Sequence, residues 1–135
     1  MSSEFSSGKH IDASGKDILL VDDDKVCLTV AKEMLKATNA RVGACKSGAD
    51  CLKIMMKRHF DVVLLDHMMP EMDGIETLKQ AKALETDYEM NTVFIALTSN
   101  TAEGAREMYL SNGFDDYVAK PVSAELLEET LARYI

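Results

Sequence analysis

Val62-Val63-Leu64-Leu65-Asp66 sets four apolar residues directly before a single carboxylate. A run this short, apolar at odd and even positions alike, fits a strand buried on both faces, as in a parallel sheet. Ile18-Leu19-Leu20-Val21 and Val93-Phe94-Ile95-Ala96-Leu97 have the same character, while Arg41 to Cys45 and Asp116 to Ala119 are weaker candidates. Helical spacing lies between the runs. Val26, Val30, Met34 and Leu35 form one stripe, and Ala49, Leu52 and Met56 another, opened by Ser47 and Asp50 as a capping box. Ile75, Leu78 and Ala81 mark a third helix. A fourth carries Ala102, Ala105 and Tyr109, capped by Thr101 and stopped by Gly113. Ser123 caps the last, with Leu127, Leu131 and Tyr134 on one face. Strand then helix, repeated five times, predicts an α/β doubly wound parallel sheet with right-handed crossovers and helices on both faces. Sites in such sheets lie at the carboxyl ends of the strands.

The 135 residues suit one domain, and 47 % hydrophobic residues suffice for its core. Residues 1–16, rich in Ser and Gly, read as a linker or expression tail, which leaves 17–135 as the folded domain. No apolar run reaches the roughly 20 residues that span a bilayer, and no secretory signal opens the chain. The expectation is therefore a cytoplasmic domain without direct membrane insertion. A net charge of −8 argues against nucleic-acid binding. Cys27, Cys45 and Cys51 are odd in number and lack metal-type spacing, so they read as reduced thiols.

Four predicted strands deliver chemistry to one edge. The first runs into Asp22-Asp23-Asp24, the third into Asp66, the fourth into Thr98 and Ser99, and the fifth into Lys120 and Pro121. Asp24 alone reads as a helix cap. Asp22, Asp23 and Asp66 at short range resist joint ionisation, and a divalent cation relieves the conflict. Magnesium, or manganese, prefers hard oxygen ligands of this kind, with a backbone carbonyl completing the protein's share. Lys120 adds a compact ammonium, and the cluster then calls for an anion. A carboxylate can act as nucleophile in phosphoryl transfer and form an aspartyl-phosphate.

At this point the sequence resembles the receiver domains of response regulators in two-component phosphorelays. The resemblance rests on Ile18 to Asp23, Leu65 to Gly74, Ala96 to Asn100 and Tyr117 to Pro121. Around Asp66 it is most similar to the receivers at the C-terminus of hybrid histidine kinases. It implies a flavodoxin-like, five-stranded sheet of order 2-1-3-4-5 with five helices. It implies Asp66 as phosphoacceptor, and Asp22, Asp23, Asp66 and the Met68 backbone carbonyl as Mg2+ ligands. Thr98 is then the switch hydroxyl, Tyr117 the aromatic that turns inward, and Lys120 the partner of the phosphoryl oxygens. A cis peptide before Pro121 is implied as well. The implied partners are a sensor histidine kinase or a histidine phosphotransfer domain, and homodimerisation on phosphorylation is compatible with the family. The parent would be a stand-alone regulator or the soluble part of a membrane-bound hybrid kinase.

Met68 and Asn100 should flank the path of an attacking water. A thioether cannot orient water, so a long-lived phosphoryl state is expected. His67 is expected at the surface, pointing away from the phosphoryl oxygens. Met34 and Met56 read as packing residues, and His10 and His59 carry no signal. Three rivals stand beside this reading. An aspartate-nucleophile phosphatase would need a second Asp where Met68 stands. A dinucleotide-binding domain would need a Gly-rich turn after the first strand, and none is there. A non-phosphorylated interaction module would not need Asp66, Thr98 and Lys120 together. The domain is thus expected to be a switch and not a turnover enzyme.

Overall fold

A computed structural model describes residues 10–88 and 91–135. Five strands, β1 (Asp17–Val21), β2 (Arg41–Cys45), β3 (Val62–Asp66), β4 (Val93–Thr98) and β5 (Asp116–Ala119), form one parallel sheet of order β2-β1-β3-β4-β5. The helices between and after them are α1 (Lys25–Lys36), α2 (Gly48–Met55), α3 (Gly74–Tyr88), α4 (Ala105–Ser111) and α5 (Ala124–Ala132). The chain moves from β1 to β2 on one side, then crosses to β3 on the other, so the topological switch point lies between β1 and β3. This is the predicted fold, and all five strands lie where the sequence placed them.

Strand alternation sorts the core into two layers. Ile18, Leu20, Val62, Leu64, Ile95, Leu97 and Val118 pack with Leu28, Ala31 and Leu35 of α1 and Leu127 and Leu131 of α5. Leu19, Val21, Val63, Leu65, Phe94 and Ala96 pack on the other face with Cys51, Met55, Leu78, Ala81, Ala105 and Tyr109 from α2, α3 and α4. Each such aliphatic side chain, fully buried, contributes on the order of 2 kcal/mol. The same period of two governs the strand ends. Asp22, Asp66 and Lys120 continue the even positions that face α1 and α5. Thr98 continues Phe94 and Ala96 toward α4.

Several local expectations change. The α1 stripe is not Val26 and Val30, which are 70 % and 45 % exposed; Leu28, Ala31 and Leu35 are buried instead. Both sets recur at helical spacing, and only packing against the sheet chooses between them. In α2 the buried face is Cys51 and Met55, about one residue round from Ala49, Leu52 and Met56, and Met56 is exposed. Helix α4 begins at Ala105 and not after Thr101, because Gly104 stands at φ 86 and interrupts the helical backbone. Gly113 ends that helix at φ 109 as expected. Asp24, Ser47 and Ser123 cap α1, α2 and α5 through their side chains.

The tail boundary also moves. Residues 1–9 lie outside the described residues, but His10 to Lys16 pack on the domain. Ala13 is 1 % exposed, and its N–H donates to Thr38 O. The Ile11 N–H donates to Glu128 Oε1 at 2.9 Å, and His10 Nδ1 lies 2.6 Å from Glu128 Oε2. These contacts account for a Glu128 that is fully buried, and they show that His10 has a role in packing. Cys27, Cys45 and Cys51 are free thiols. Among the described residues no helix is long and apolar enough to cross a membrane.

Candidate functional site

At the carboxyl edge of the sheet a cleft of about 420 Å³ opens between the β1, β3, β4 and β5 ends. Asp22, Asp23, Asp66, Met68, Thr98, Asn100 and Lys120 all line it. Tyr117 does not: it pairs with Ala96, two residues short of the level of Thr98 at the strand ends. The register explains the meeting. Val21 pairs with Leu65, so Asp22 and Asp66 follow side by side, and Thr98 pairs with Ala119, so Lys120 comes one step later. The Lys120–Pro121 peptide is cis, as the resemblance implies.

Lys120 sits between two buried carboxylates. Its Nζ donates to Asp66 Oδ1 at 3.1 Å and lies 2.8 Å from Asp22 Oδ2. The second contact is close enough for an ion pair but poorly aligned, and Asp22 Oδ2 has no hydrogen-bond partner despite its burial. Asp22 Oδ1 accepts from Asp24 N at 2.9 Å. Asp22 and Asp66 are 1 % and 4 % exposed, whereas Asp23 is open to solvent. Burial pushes the Asp66 carboxyl up to about 7; Lys120 opposes this and the Asp22 charge adds to it. Burial alone would lower the Lys120 pKa, but the adjoining Asp22 and Asp66 carboxylates outweigh it, and the ammonium is held above its ordinary value.

One carboxylate oxygen from each of Asp22, Asp23 and Asp66 lies within 4.8 Å of the others. With all three ionised, the carboxylates outnumber the Lys120 ammonium by two charges. That excess, with the unsatisfied Asp22 oxygen, fits a hard divalent cation.

The loop after Asp66 is tightly built. The Gly74 N–H donates to His67 O at 2.7 Å, Met72 N donates to Pro70 O at 2.7 Å, and Glu71 takes a positive φ of 68°. Asp73 Oδ1 accepts from Glu76 N and starts α3. A Cβ on Gly74 would overlap the Asp66 carbonyl oxygen, so only glycine lets α3 begin this close to the end of β3. Met68 is 72 % exposed at the cleft mouth. Asn100 N donates to Thr98 Oγ1 at 2.9 Å, and its side-chain oxygen accepts from Ala102 N at 3.1 Å.

Residues 18–132 match the family model described as the response regulator receiver domain. The chain belongs to the response regulator receiver family. This receiver is 33 % identical to Probable histidine kinase 6 of Oryza sativa subsp. japonica, over 90 % of its own length but 14 % of that kinase. It is 38 % identical to the transcriptional regulatory protein ZraR of Salmonella typhimurium, over 87 % of the chain and 26 % of the regulator. The chain therefore spans only a small part of these relatives. The receiver domain of sensor histidine kinase PA1611 from Pseudomonas aeruginosa, solved with a magnesium ion coordinated in its active site cleft, is 33 % identical at a TM-score of 0.78, covering 90 % of this chain and 98 % of that one.

Two side chains of this receiver differ from the sequence reading. His67 is not a surface residue: its side chain is 16 % exposed and Nδ1 lies 2.8 Å from the Tyr109 hydroxyl. Tyr109, read only as a core position, is fully buried and its hydroxyl lies 2.8 Å from Thr98 Oγ1. Tyr117 stacks on the Tyr109 ring, at 6.0 Å between centroids. A tyrosine in an apolar stripe was the one available signal, since a buried phenol needs a polar partner.

Proposed function

We propose that this receiver domain takes a phosphoryl group from a partner's phosphohistidine onto Asp66 and changes conformation in response. The observation that carries the reading is the paired arrangement of Asp66 with Lys120 beside the unsatisfied Asp22 oxygen. An Asp66 oxygen forms the new O–P bond. The P–N bond to the partner imidazole breaks, its electron pair stays on that nitrogen, and the nitrogen takes up a proton. Lys120, already bonded to Asp66, swings its remaining donors to the transferred oxygens. Magnesium or manganese held by Asp22, Asp23, Asp66 and the Met68 carbonyl would offset charge building on those oxygens. Thr98 then donates to the phosphoryl group, and Tyr117 turns inward behind it. Water attack on phosphorus releases phosphate and resets the domain.

The exposed α1 stripe supports a docking surface for the donor. Val26, Cys27, Val30, Ala31, Pro121 and Val122 line an apolar groove, and Pro121 and Val122 follow Lys120 directly. A helical histidine-bearing partner, a sensor kinase or a phosphotransfer domain, would cover this groove while placing its imidazole over Asp66.

Incubation with acetyl phosphate and magnesium, followed by intact mass, should give one phosphate adduct in the wild type and none in Asp66→Ala. Absence of the adduct in the wild type would favour the interaction-module reading. Multiple turnover of a phosphomonoester would favour the phosphatase reading, although Met68 stands where such an enzyme needs its second carboxylate.

The Met68 thioether leaves an attacking water without a guide on its side of the cleft. The phosphoryl state should therefore persist, and Met68→Asn should shorten its lifetime by roughly an order of magnitude. Parallel decay curves of the two phosphorylated proteins decide this; an unchanged rate would dismiss the role of Met68.

A further inference from the structure

The buried hydroxyl of Tyr109 joins two residues from different elements. It lies 2.8 Å from Thr98 Oγ1 on β4 and 2.8 Å from His67 Nδ1 beyond β3. The ring is fixed on three sides: His67 meets its edge at 5.2 Å, Phe114 at 5.9 Å, and Tyr117 stacks at 6.0 Å. Tyr109 is thus a held group and not a rotor.

Either hydroxyl can donate in the Thr98–Tyr109 bond, and an arrangement of protons in which Thr98 is the donor satisfies every atom. Thr98 Oγ1 already accepts from Asn100 N, so its single hydrogen can go to the Tyr109 oxygen. The Tyr109 hydrogen can then go to His67 Nδ1, with the His67 proton on Nε2, on the side of Asp73 at 3.8 Å. Every buried polar atom in this chain of bonds is satisfied. A hydroxyl carries one hydrogen, however. Thr98 cannot donate to Tyr109 and to a phosphoryl oxygen on Asp66 at the same time.

We infer that Tyr109 is a positioning residue of the switch: its hydroxyl, anchored by His67, holds Thr98 in the unphosphorylated orientation and competes with the phosphoryl group for the Thr98 hydrogen. The inference rests on Asp66 being the phosphoacceptor. It sets the threshold of the switch, because the released state keeps the Tyr109–His67 bond and loses only the bond to Thr98. Removing the Tyr109 oxygen weakens the resting state and leaves the phosphorylated state unburdened. The stacked Tyr117 ring borders the same phenol, so release of Thr98 and inward turning of Tyr117 are coupled through one side chain.

Beryllofluoride with magnesium serves as a stable phosphoryl mimic, and its binding midpoint can be followed by amide shifts. Tyr109→Phe keeps the ring and its packing. It should bind beryllofluoride about three- to tenfold more tightly than the wild type, the range for one hydrogen bond lost from the resting state. In a Thr98→Ala background the same substitution should change the midpoint less than about twofold, since the competing donor is gone. Equal tightening in both backgrounds, or no tightening in the first, overturns the inference. A wild type that does not bind beryllofluoride overturns the Asp66 reading, and the inference with it. Should Tyr109→Phe fold poorly, the wild type still decides: the Tyr109 carbon bearing the hydroxyl must shift on saturation, and an unmoved resonance refutes the release of Thr98.

Discussion

Asp66→Asn is expected to melt several degrees above the wild type in metal-free buffer at pH 8, while losing the capacity to take a phosphoryl group. Asp66 is 4 % exposed, and burial raises its pKa from an ordinary 3.8 to about 7. A group whose folded-state pKa is raised contributes stability that is complete below its unfolded value and lost as pH climbs through the folded one. Wild-type stability should therefore decline between about pH 4 and pH 7 on account of this carboxylate. The full displacement corresponds to on the order of 4 kcal/mol, and relaxation and loss of the Lys120 contact reduce the gain in the asparagine variant to about 1–3 kcal/mol. For a domain of this size that is roughly 3–15 °C. The difference between the two proteins should be small near pH 4 and widen to pH 7. Millimolar magnesium should narrow it, because a cation favours the ionised form that only the wild type has. Thermal melts across pH, with and without magnesium, measure all three. A difference that stays flat with pH would show that burial does not govern Asp66.

Gly74→Ala should be severely damaging for the addition of a single methyl group. The added carbon would overlap the Asp66 carbonyl oxygen and come within 2.9 Å of His67 Cα. Both neighbours are backbone, so no rotamer change relieves the clash. Relief requires parting α3 from the end of β3, and with it the Gly74–His67 hydrogen bond. A cost of about 3 kcal/mol or more follows. The same movement carries Asp66, so phosphoryl acceptance should slow even in molecules that remain folded. Gly43→Ala is the control: a Cβ there meets Leu19 and Phe60 side chains at 3.6 Å, an ordinary contact. Urea denaturation should separate the two variants clearly. A Gly74→Ala protein as stable as Gly43→Ala would mean that the loop has slack its geometry does not suggest.

Asp22, Asp66 and Lys120 were legible because each directly follows a short apolar run, and alternation along a strand is a local property. Once three parallel strands are granted, period two aims all three side chains at the α1 and α5 side of one edge. Thr98 follows by the same rule toward the opposite face. The caps at Asp24, Ser47 and Ser123 were legible for an equally local reason, since each bonds an amide two or three residues along.

Helix faces were less legible. In α1 the pairs Val26 with Val30 and Leu28 with Leu35 have comparable spacing, and nothing local prefers one. The sheet buries the second pair and leaves the first beside the cleft, where a phosphodonor would dock. Gly104 moved the start of α4, because a left-handed residue ends helical continuity whatever cap stands before it.

The amino-acid sequence by itself determined the five strands and the residues at their ends, since these depend on alternation and turn chemistry among near neighbours. Only the tertiary structure decided that His10 and Ile11 satisfy Glu128 and that Tyr109 lies between His67 and Thr98. Those contacts join residues from 11 to 118 positions apart, and which buried polar group meets which is settled only when the layers close.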